Sequence, residues 1–217
     1  TKQTYNSNRS ARSCSRNRKS RANRFSKCIK TNLRILRRSV YFYQNLRVVK
    51  TILSNEQLQL TIQRLSHQLI ENHYPFTNSV IVGLQPRGIF LADRIVAAIR
   101  TNYPDLNLLY GKLDITFYRD DTHKELHVAN QTTIDFDIEN RNVILIDDVL
   151  YTGRTIRAAM DALVDFGRPA KVELLVLIDR RFNRQLPIQP DYTGKAIDSI
   201  LSQKVTVDWE KPEVVLL

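Results

Sequence analysis

The sequence predicts an α/β domain in which helices flank a mostly parallel sheet. Apolar runs of strand length alternate along the chain with segments whose apolar residues recur at helical spacing, which is typical of parallel strands joined by right-handed crossovers. Two of the strand runs end in a short turn that contains a glycine, and a helical segment follows each turn directly. A length of 217 residues, 42% of them hydrophobic, suits one such domain with an appendage.

The net positive charge of the chain comes entirely from its N-terminal part. The net charge is +11, yet residues 1–50 hold 15 of the 33 Lys and Arg and no Asp or Glu. Residues 51–217 therefore carry 18 basic and all 22 acidic residues, a net charge of −4. We predict a basic, disordered extension over 1–50 and the domain over 51–217. The extension is a transit peptide, a basic arm for nucleic acid or, as we favour, a segment unrelated to the domain, such as the product of a misplaced start.

Other classes of protein are disfavoured by composition. Both cysteines, Cys14 and Cys28, lie in the extension, so residues 51–217 have no disulfide framework or Cys-based zinc site, and a reducing cytoplasm fits. No apolar run reaches 18 residues, so we expect no membrane span. We expect no direct metal centre either, because no second ligand stands at metal-binding spacing from any of the four histidines, which are His67, His73, His123 and His127.

Three helices are predicted from capping and periodicity. Ser54 and Gln57 form a capping box before the first, whose apolar residues stand at 58, 62, 65 and 69. The second runs from about Ile89 to Ile99. The third covers 155–166, and its predicted buried face holds Ile156, Ala159, Met160 and Leu163.

Four strands are predicted between and after these helices. They are Ser79–Leu84, the alternating stretch 113–117, and the apolar runs 142–147 and 172–178. Residues 119–133 are polar and without periodicity, so they predict a long loop of the kind that often acts as a lid. Ligands of such sheets gather at the carboxyl ends of the strands.

The strongest chemical signal is the segment 143–155, which reads VILIDDVLYTGRT. A hydrophobic strand brings Asp147 and Asp148 to its end, and a turn with hydroxyl groups and Gly153 leads into a helix. Backbone N–H groups at such a turn and helix N-terminus bind phosphate, and glycine lets the backbone approach closely. The two carboxylates can accept hydrogen bonds from vicinal ribose hydroxyls. The pattern predicts a sugar-phosphate site, although the chain has neither G-x-x-x-x-G-K-[ST] nor G-x-G-x-x-G.

Residues 147–155 resemble the signature with which type I phosphoribosyltransferases bind PRPP (5-phosphoribosyl 1-diphosphate). The form DDVLYTGRT is close to that of the bifunctional pyrimidine operon regulators and uracil phosphoribosyltransferases. The resemblance runs from about Ile52 to Val207 and includes the segments 117–121, 160–169 and 186–195. It implies the type I phosphoribosyltransferase fold, with a small hood over the base and a flexible lid loop. Residues 181–184 differ from the family's Gly-His-Arg stretch and are one residue longer.

The resemblance also implies the roles of individual residues. Catalysis is assigned to Arg119, Asp147 and Asp148. PRPP binding is assigned to Arg87 and Gly88 in the turn after the first core strand, and to Asp147, Asp148, Val149, Leu150, Tyr151, Thr152, Gly153, Arg154 and Thr155. The hood residues implied to bind the base are Asp179, Arg180 and Val205. Mg²⁺ is implied as a cofactor that enters with PRPP.

The implied reaction joins uracil to the ribose of PRPP, giving UMP, in a homodimer or higher homo-oligomer. Tyr151 favours a pyrimidine, because similar purine enzymes usually carry an aspartate at this position. Two alternatives stay open. One is a purine phosphoribosyltransferase. The other is an RNA-binding transcription attenuator with weak catalysis, whose contacts with an mRNA leader would come from Arg64, His67, Arg184 and Lys195, although the net charge of −4 over 51–217 counts against it.

Overall fold

The computed structural model describes residues 50–119, 130–200 and 202–217. They form three helices, α1 (Asn55–His73), α2 (Gly88–Asn102) and α3 (Arg154–Leu163). The strands are β1 (Lys50–Leu53), β2 (Ser79–Leu84), β3 (Leu109–Leu113), β4 (Asn142–Leu150), β5 (Lys171–Arg181), β6 (Tyr192–Asp198), β7 (Val205–Asp208) and β8 (Glu213–Leu216). Within these ranges no helix is both long and apolar enough to cross a bilayer. The predicted extension, apart from Lys50, and most of the predicted lid lie outside the described residues.

The main sheet has five parallel strands in the order β3-β2-β4-β5-β6. All six residues of β2 are buried, as are six consecutive residues of β4 and six of β5. Strands covered by helices on both faces are expected to be apolar throughout. One core cluster joins the sheet to α1 and α2, and a second joins its other face to α3. The parallel α/β fold is therefore as predicted.

The ends of the helices follow from local interactions. Ser54 Oγ accepts a hydrogen bond from Gln57 N at 3.4 Å, and Gln57 Oε1 accepts one from Ser54 N at 3.2 Å, which is the predicted capping box. Gly153 precedes α3 with φ 93°, a left-handed conformation that a side chain disfavours. This glycine lets β4 turn sharply into α3.

A second, antiparallel sheet has the order β1-β8-β7. Strand β1 was not predicted. It pairs Lys50 with Leu216 and buries Ile52 and Leu53. Strand β7 begins at Val205, the residue that the sequence places in the hood.

Two predicted strands were wrong in their extent. The strand predicted over 113–117 shares only Leu113 with the observed β3, which ends there because Asp114 Oδ1 accepts hydrogen bonds from both the N and the Oγ1 of Thr116 and a 3₁₀ turn follows. Phe117 in that turn is 83% exposed. Strand β4 continues to Leu150, so both aspartates lie within the strand.

The buried face of α3 also differs from the prediction. Met160 is 49% exposed, whereas Ala158 and Ala162 are buried. The buried stripe of α3 thus contains small residues, which a search for large apolar side chains does not find. The helix itself ends at Leu163, and residues 164–166 form a 3₁₀ turn.

Candidate active site

A cavity of about 560 Å³ opens at the carboxyl ends of β4 and β5. This is the edge at which parallel α/β sheets bind ligands. The residues that line it are Arg87, Arg119, Asp147, Val149, Leu150, Tyr151, Thr152, Gly153, Arg154, Thr155, Arg180, Gln185, Ser202, Gln203, Lys204 and Val205. Most residues assigned from the sequence are therefore brought together. The predicted residues that do not line the cavity are Gly88, Asp148 and Asp179.

The two aspartates of β4 differ in their surroundings. Asp147 lines the cavity and is 6% exposed, whereas Asp148 is 2% exposed and points its Oδ2 toward Arg87 Nε, 3.4 Å away. Burial, and after it the negative charge of Asp148, raises the pKa of Asp147 well above that of an ordinary carboxyl group. The arginine thus compensates one buried carboxylate of the pair. Asp147 is left as a polar group with a high proton affinity at the cavity wall.

Gly88 serves close packing between α2 and β4. A Cβ atom at this position would lie 2.5 Å from the carbonyl oxygen of Ile146 and 3.0 Å from the Cα of Asp147. Any side chain would therefore push α2 away from the strand that carries the aspartates. Gly88 therefore packs against the strand that carries Asp147, directly beside Arg87, and its role in PRPP binding stays a prediction.

We call residues 151–155, between β4 and the first turn of α3, the phosphate loop. All five line the cavity. The loop includes the N-terminus of α3, where backbone N–H groups have no partner within the helix and the helix dipole favours an anion. The arrangement can bind a phosphate group through backbone donors.

Tyr151 and Arg180 form the wall of the cavity that faces the second sheet. The guanidinium carbon of Arg180 lies 4.0 Å from the centroid of the Tyr151 ring. Arg180 is 5% exposed, and it donates hydrogen bonds from Nε to Ser199 Oγ at 2.8 Å and from Nη2 to the carbonyl oxygen of Gln203 at 3.0 Å. These contacts join the phosphate loop to residues 199–203. Val205 lies just beyond that segment and also lines the cavity.

Of the predicted site residues Asp179 and Arg119, only Arg119 lines the cavity. Asp179 accepts a hydrogen bond from Arg184 and does not line the cavity, so it is placed to act through that arginine. Arg119 lines the cavity. It lies directly before residues 120–129, which include His123 and His127 and are outside the described residues.

Sequence reasoning missed four cavity residues, namely Gln185, Ser202, Gln203 and Lys204. None belongs to a recognisable motif. Gln185 reaches the cavity because the chain after β5 folds back along the phosphate loop, and the other three precede β7. Only the pairing of distant segments reveals them.

Three of the residues proposed for RNA contacts also make side-chain hydrogen bonds within the fold. Arg64 donates hydrogen bonds from Nη2 to the carbonyl oxygens of Thr193 and Gly194, and Lys195 donates one to that of Ile52. Arg184 is bound to Asp179 beside the cavity. Arg64, His67 and Lys195 are exposed, and Arg184 is half-buried.

Fold and site together define a phosphoribosyltransferase-type domain. A family model described as the phosphoribosyl transferase domain matches residues 48–211. Among solved structures, a hypoxanthine phosphoribosyltransferase from Staphylococcus aureus superposes with a TM-score of 0.59 at 22% identity, covering 80% of this chain and 93% of that one. A hypoxanthine-guanine phosphoribosyltransferase from Bacillus anthracis gives a TM-score of 0.58 at 17% identity, covering 77% and 97%. At these identities the likeness concerns the fold alone, and it confirms the predicted fold class.

Curated relatives narrow the family further. The Bifunctional protein PyrR of Actinobacillus pleuropneumoniae serotype 5b is 48% identical over 160 residues, which are 73% of this chain and 88% of the relative. The Bifunctional protein PyrR of Limosilactobacillus fermentum is 43% identical over 164 residues, 74% of this chain and 90% of the relative. The chain therefore belongs to the phosphoribosyl transferase family and, within it, to the PyrR-type proteins.

Proposed function

We propose that the protein is a uracil phosphoribosyltransferase. Carbon C1 of PRPP bonds to N1 of uracil, pyrophosphate leaves from C1, and the N1 proton is released, which gives UMP. The observation that carries the proposal is the DDVLYTGRT segment, of which every residue except Asp148 lines the cavity, with Tyr151 held against Arg180. The PyrR-type relatives support a pyrimidine role, and the purine alternative is not favoured.

The phosphate loop binds the 5-phosphate of PRPP. Thr152, Gly153 and the first turn of α3 offer N–H groups and a favourable dipole, and the hydroxyls of Thr152 and Thr155 add donors. Asp147 at the cavity wall hydrogen-bonds the ribose hydroxyls, with Asp148 behind it paired to Arg87. Val149 and Leu150 supply the backbone between these two subsites.

Catalysis is mainly positioning and charge stabilisation. The transition state resembles an oxocarbenium ion, and negative charge grows on the departing pyrophosphate. Arg87 and Arg119 both line the cavity and stabilise that charge. Exclusion of water from the site prevents hydrolysis of the substrate.

Mg²⁺ enters as part of the PRPP complex. Within the described residues no group of three or more His, Cys, Asp or Glu is placed to hold a metal ion. Of the two aspartates of β4 only Asp147 lines the cavity, and Mg²⁺ suits such a site because it commonly keeps several waters and substrate oxygens as ligands. Mg²⁺ would supply charge neutralisation to the pyrophosphate, and Asp147, which lines the cavity, would help to hold it.

The base lies between the phosphate loop and the start of β7. Arg180 and Val205 line this side, and backbone groups near Val205 can pair with the keto–imide–keto edge of uracil. Asp179 contributes through Arg184. A carboxylate that exchanges a proton with a purine ring nitrogen is missing here, because Tyr151 stands at that position.

A product assay tests the proposal. The protein is incubated with PRPP, Mg²⁺ and each free base in turn, and the nucleotide is identified chromatographically. We expect UMP with uracil. Formation of IMP or GMP with no UMP would contradict the proposal.

The word bifunctional in the name of the relatives favours a second role. We propose regulation through an mRNA leader, as the resemblance implies, and salt-dependent binding to such an RNA would test it. Arg64 and Lys195 are exposed and also donate hydrogen bonds to backbone carbonyl groups of the fold. A homo-oligomer and a cytoplasmic location remain predictions from the sequence, and light scattering tests the first.

A further inference from the structure

The chain after β5 folds back along the phosphate loop. We call residues 184–188 the brace. Arg184 Nη1 donates a hydrogen bond of 2.6 Å to the carbonyl oxygen of Tyr151. Its Nη2 donates another to Asp179 Oδ1, and the side chains of Arg184 and Asp179 are only 22% and 14% exposed. The arginine is therefore held from behind while it holds the loop.

The brace also holds the next peptide of the loop. The backbone N–H groups of Gln185 and Leu186 both donate to the carbonyl oxygen of Thr152, at 3.0 and 3.2 Å. The side chain of Gln185 accepts a hydrogen bond of 2.8 Å from Arg154 Nε. Two successive carbonyl groups of the phosphate loop thus point at the brace.

Because peptide bonds are planar, these contacts determine which way the neighbouring N–H groups of the phosphate loop point. In a planar trans peptide the C=O and N–H groups point in opposite directions. The carbonyl of Tyr151 shares a peptide plane with the N–H of Thr152, and the carbonyl of Thr152 shares one with the N–H of Gly153. With both carbonyls held by the brace, the two N–H groups point away from it. Thr152 and Gly153 also line the cavity.

We propose that the brace is a positioning element that aims the N–H groups of Thr152 and Gly153 at the 5-phosphate of PRPP, with Arg184 and Asp179 as its key pair. The proposal deepens the proposed function and rests on it for the identity of the ligand. Arg184 does not touch the substrate, so its effect passes through the Tyr151 carbonyl. The brace includes part of the stretch in which this sequence departs from the family.

Two variants and a matched control test the brace. Arg184→Met removes the donors but keeps an unbranched side chain, and Arg184→Lys keeps a charged donor. Arg181→Met is the control, because Arg181 ends β5 three residues before Arg184 and pairs with the exposed Asp198 at 2.9 Å. Amide hydrogen exchange of residues 151–155 is measured without ligand, and the affinity for Mg²⁺-PRPP is measured by calorimetry without a base.

For Arg184→Met we expect faster exchange across residues 151–155 and about ten- to a hundredfold weaker PRPP binding, the range for loss of a charge-assisted hydrogen bond. The KM for PRPP should rise while the KM for uracil changes little. Arg184→Lys should restore part of the affinity, and Arg181→Met should match wild type. Unchanged exchange in a folded Arg184→Met protein would overturn the brace, as would equal effects of the two Met variants.

The failure of the brace can be told apart from the failure of the proposed function. If wild type binds PRPP but gives no UMP, the acceptor is wrong and the affinity comparison still decides the brace. If wild type does not bind PRPP, the proposed function is wrong, and the ligand-free exchange experiment alone decides whether Arg184 orients the loop.

Discussion

The guanidinium carbon of Arg180 lies 4.0 Å from the centroid of the Tyr151 ring, which ties the phosphate loop to the segment before β7. The same guanidinium is held by Ser199 and by the carbonyl oxygen of Gln203. The ring and the arginine therefore support each other at the side of the cavity assigned to the base. A contact of this kind contributes about 0.5–2 kcal/mol, depending on how far water is excluded.

Loss of the Tyr151 ring should weaken base binding. We expect Tyr151→Ala to raise the KM for uracil by about 2- to 30-fold, which corresponds to the loss of one cation–π contact. Tyr151→Phe keeps the ring and should stay near wild type, since the Tyr151 carbonyl, and not its hydroxyl, binds Arg184. Steady-state kinetics with saturating PRPP measures both. An equal loss in the two variants would show that the hydroxyl, not the stack, matters.

The conformation of Gly153 should matter for both folding and PRPP binding. Gly153 has φ 93°, and Gly167, which does not line the cavity, has φ 130°. We expect Gly153→Ala and Gly167→Ala each to lower the free energy of unfolding by about 1–2 kcal/mol, because a side chain is strained at positive φ. Only Gly153→Ala should also raise the KM for PRPP. A folded Gly153→Ala protein with unchanged PRPP affinity would show that the phosphate loop does not bind PRPP as proposed.

The buried Asp147 should make stability depend on pH. Burial raises its pKa in the folded state, so the folded protein holds this proton more tightly than the unfolded chain does. Stability linked to Asp147 is therefore present at low pH and is lost as the pH rises toward the raised pKa. Asp147→Asn should lose less stability over this range and be more stable at neutral pH, but it should turn over more slowly.

Chemical denaturation at several pH values measures the free energy of unfolding of each variant, and steady-state assays measure its turnover. Asp161→Asn is the control, because Asp161 is exposed on α3 in an ion pair with Arg157. The control should show the pH dependence of wild type. If Asp147→Asn shows it too, Asp147 is not the group responsible.

Arg119 should contribute to turnover more than to stability. It lines the cavity at the end of a short 3₁₀ turn and belongs to neither hydrophobic core cluster. We expect Arg119→Ala to lower kcat on the order of a hundredfold, the effect of removing one group that stabilises charge in the transition state. Its melting temperature should stay close to that of wild type. Arg157→Ala on the exposed face of α3 is the control, and wild-type turnover in Arg119→Ala would refute its catalytic role.

The sequence predicts those parts of the fold whose causes are local. Strand β2 could be predicted because it is apolar from Val80 to Leu84, and α1 because Ser54 and Gln57 cap it. The stretch 113–117 alternates like a strand, but the hydrogen bonds of Asp114 to Thr116 override the alternation. Met160 is exposed because small alanines, which carry a weak signal, form the buried stripe.

The candidate site likewise has one part that the sequence predicts and another that it does not. Residues 147–155 are adjacent in the chain and form a recognisable pattern. Arg184 is 33 residues from Tyr151, and its hydrogen bond to that carbonyl has no local signature. The resemblance associates Asp179 with the base. The hydrogen bond that Asp179 accepts from Arg184 could not be predicted, because it too has no local signature.

The identity of the acceptor base tests the account most directly. Uracil offers two keto acceptors that flank one imide donor, whereas cytosine replaces one acceptor by a donor and would leave buried polar groups unpaired. Orotate adds a carboxylate beside N1 that needs its own cation. Steady-state kinetics with Mg²⁺ and saturating PRPP should give uracil the highest kcat/KM among uracil, cytosine, orotate, hypoxanthine and guanine. A higher kcat/KM for hypoxanthine or guanine would contradict the account and make the protein a purine phosphoribosyltransferase.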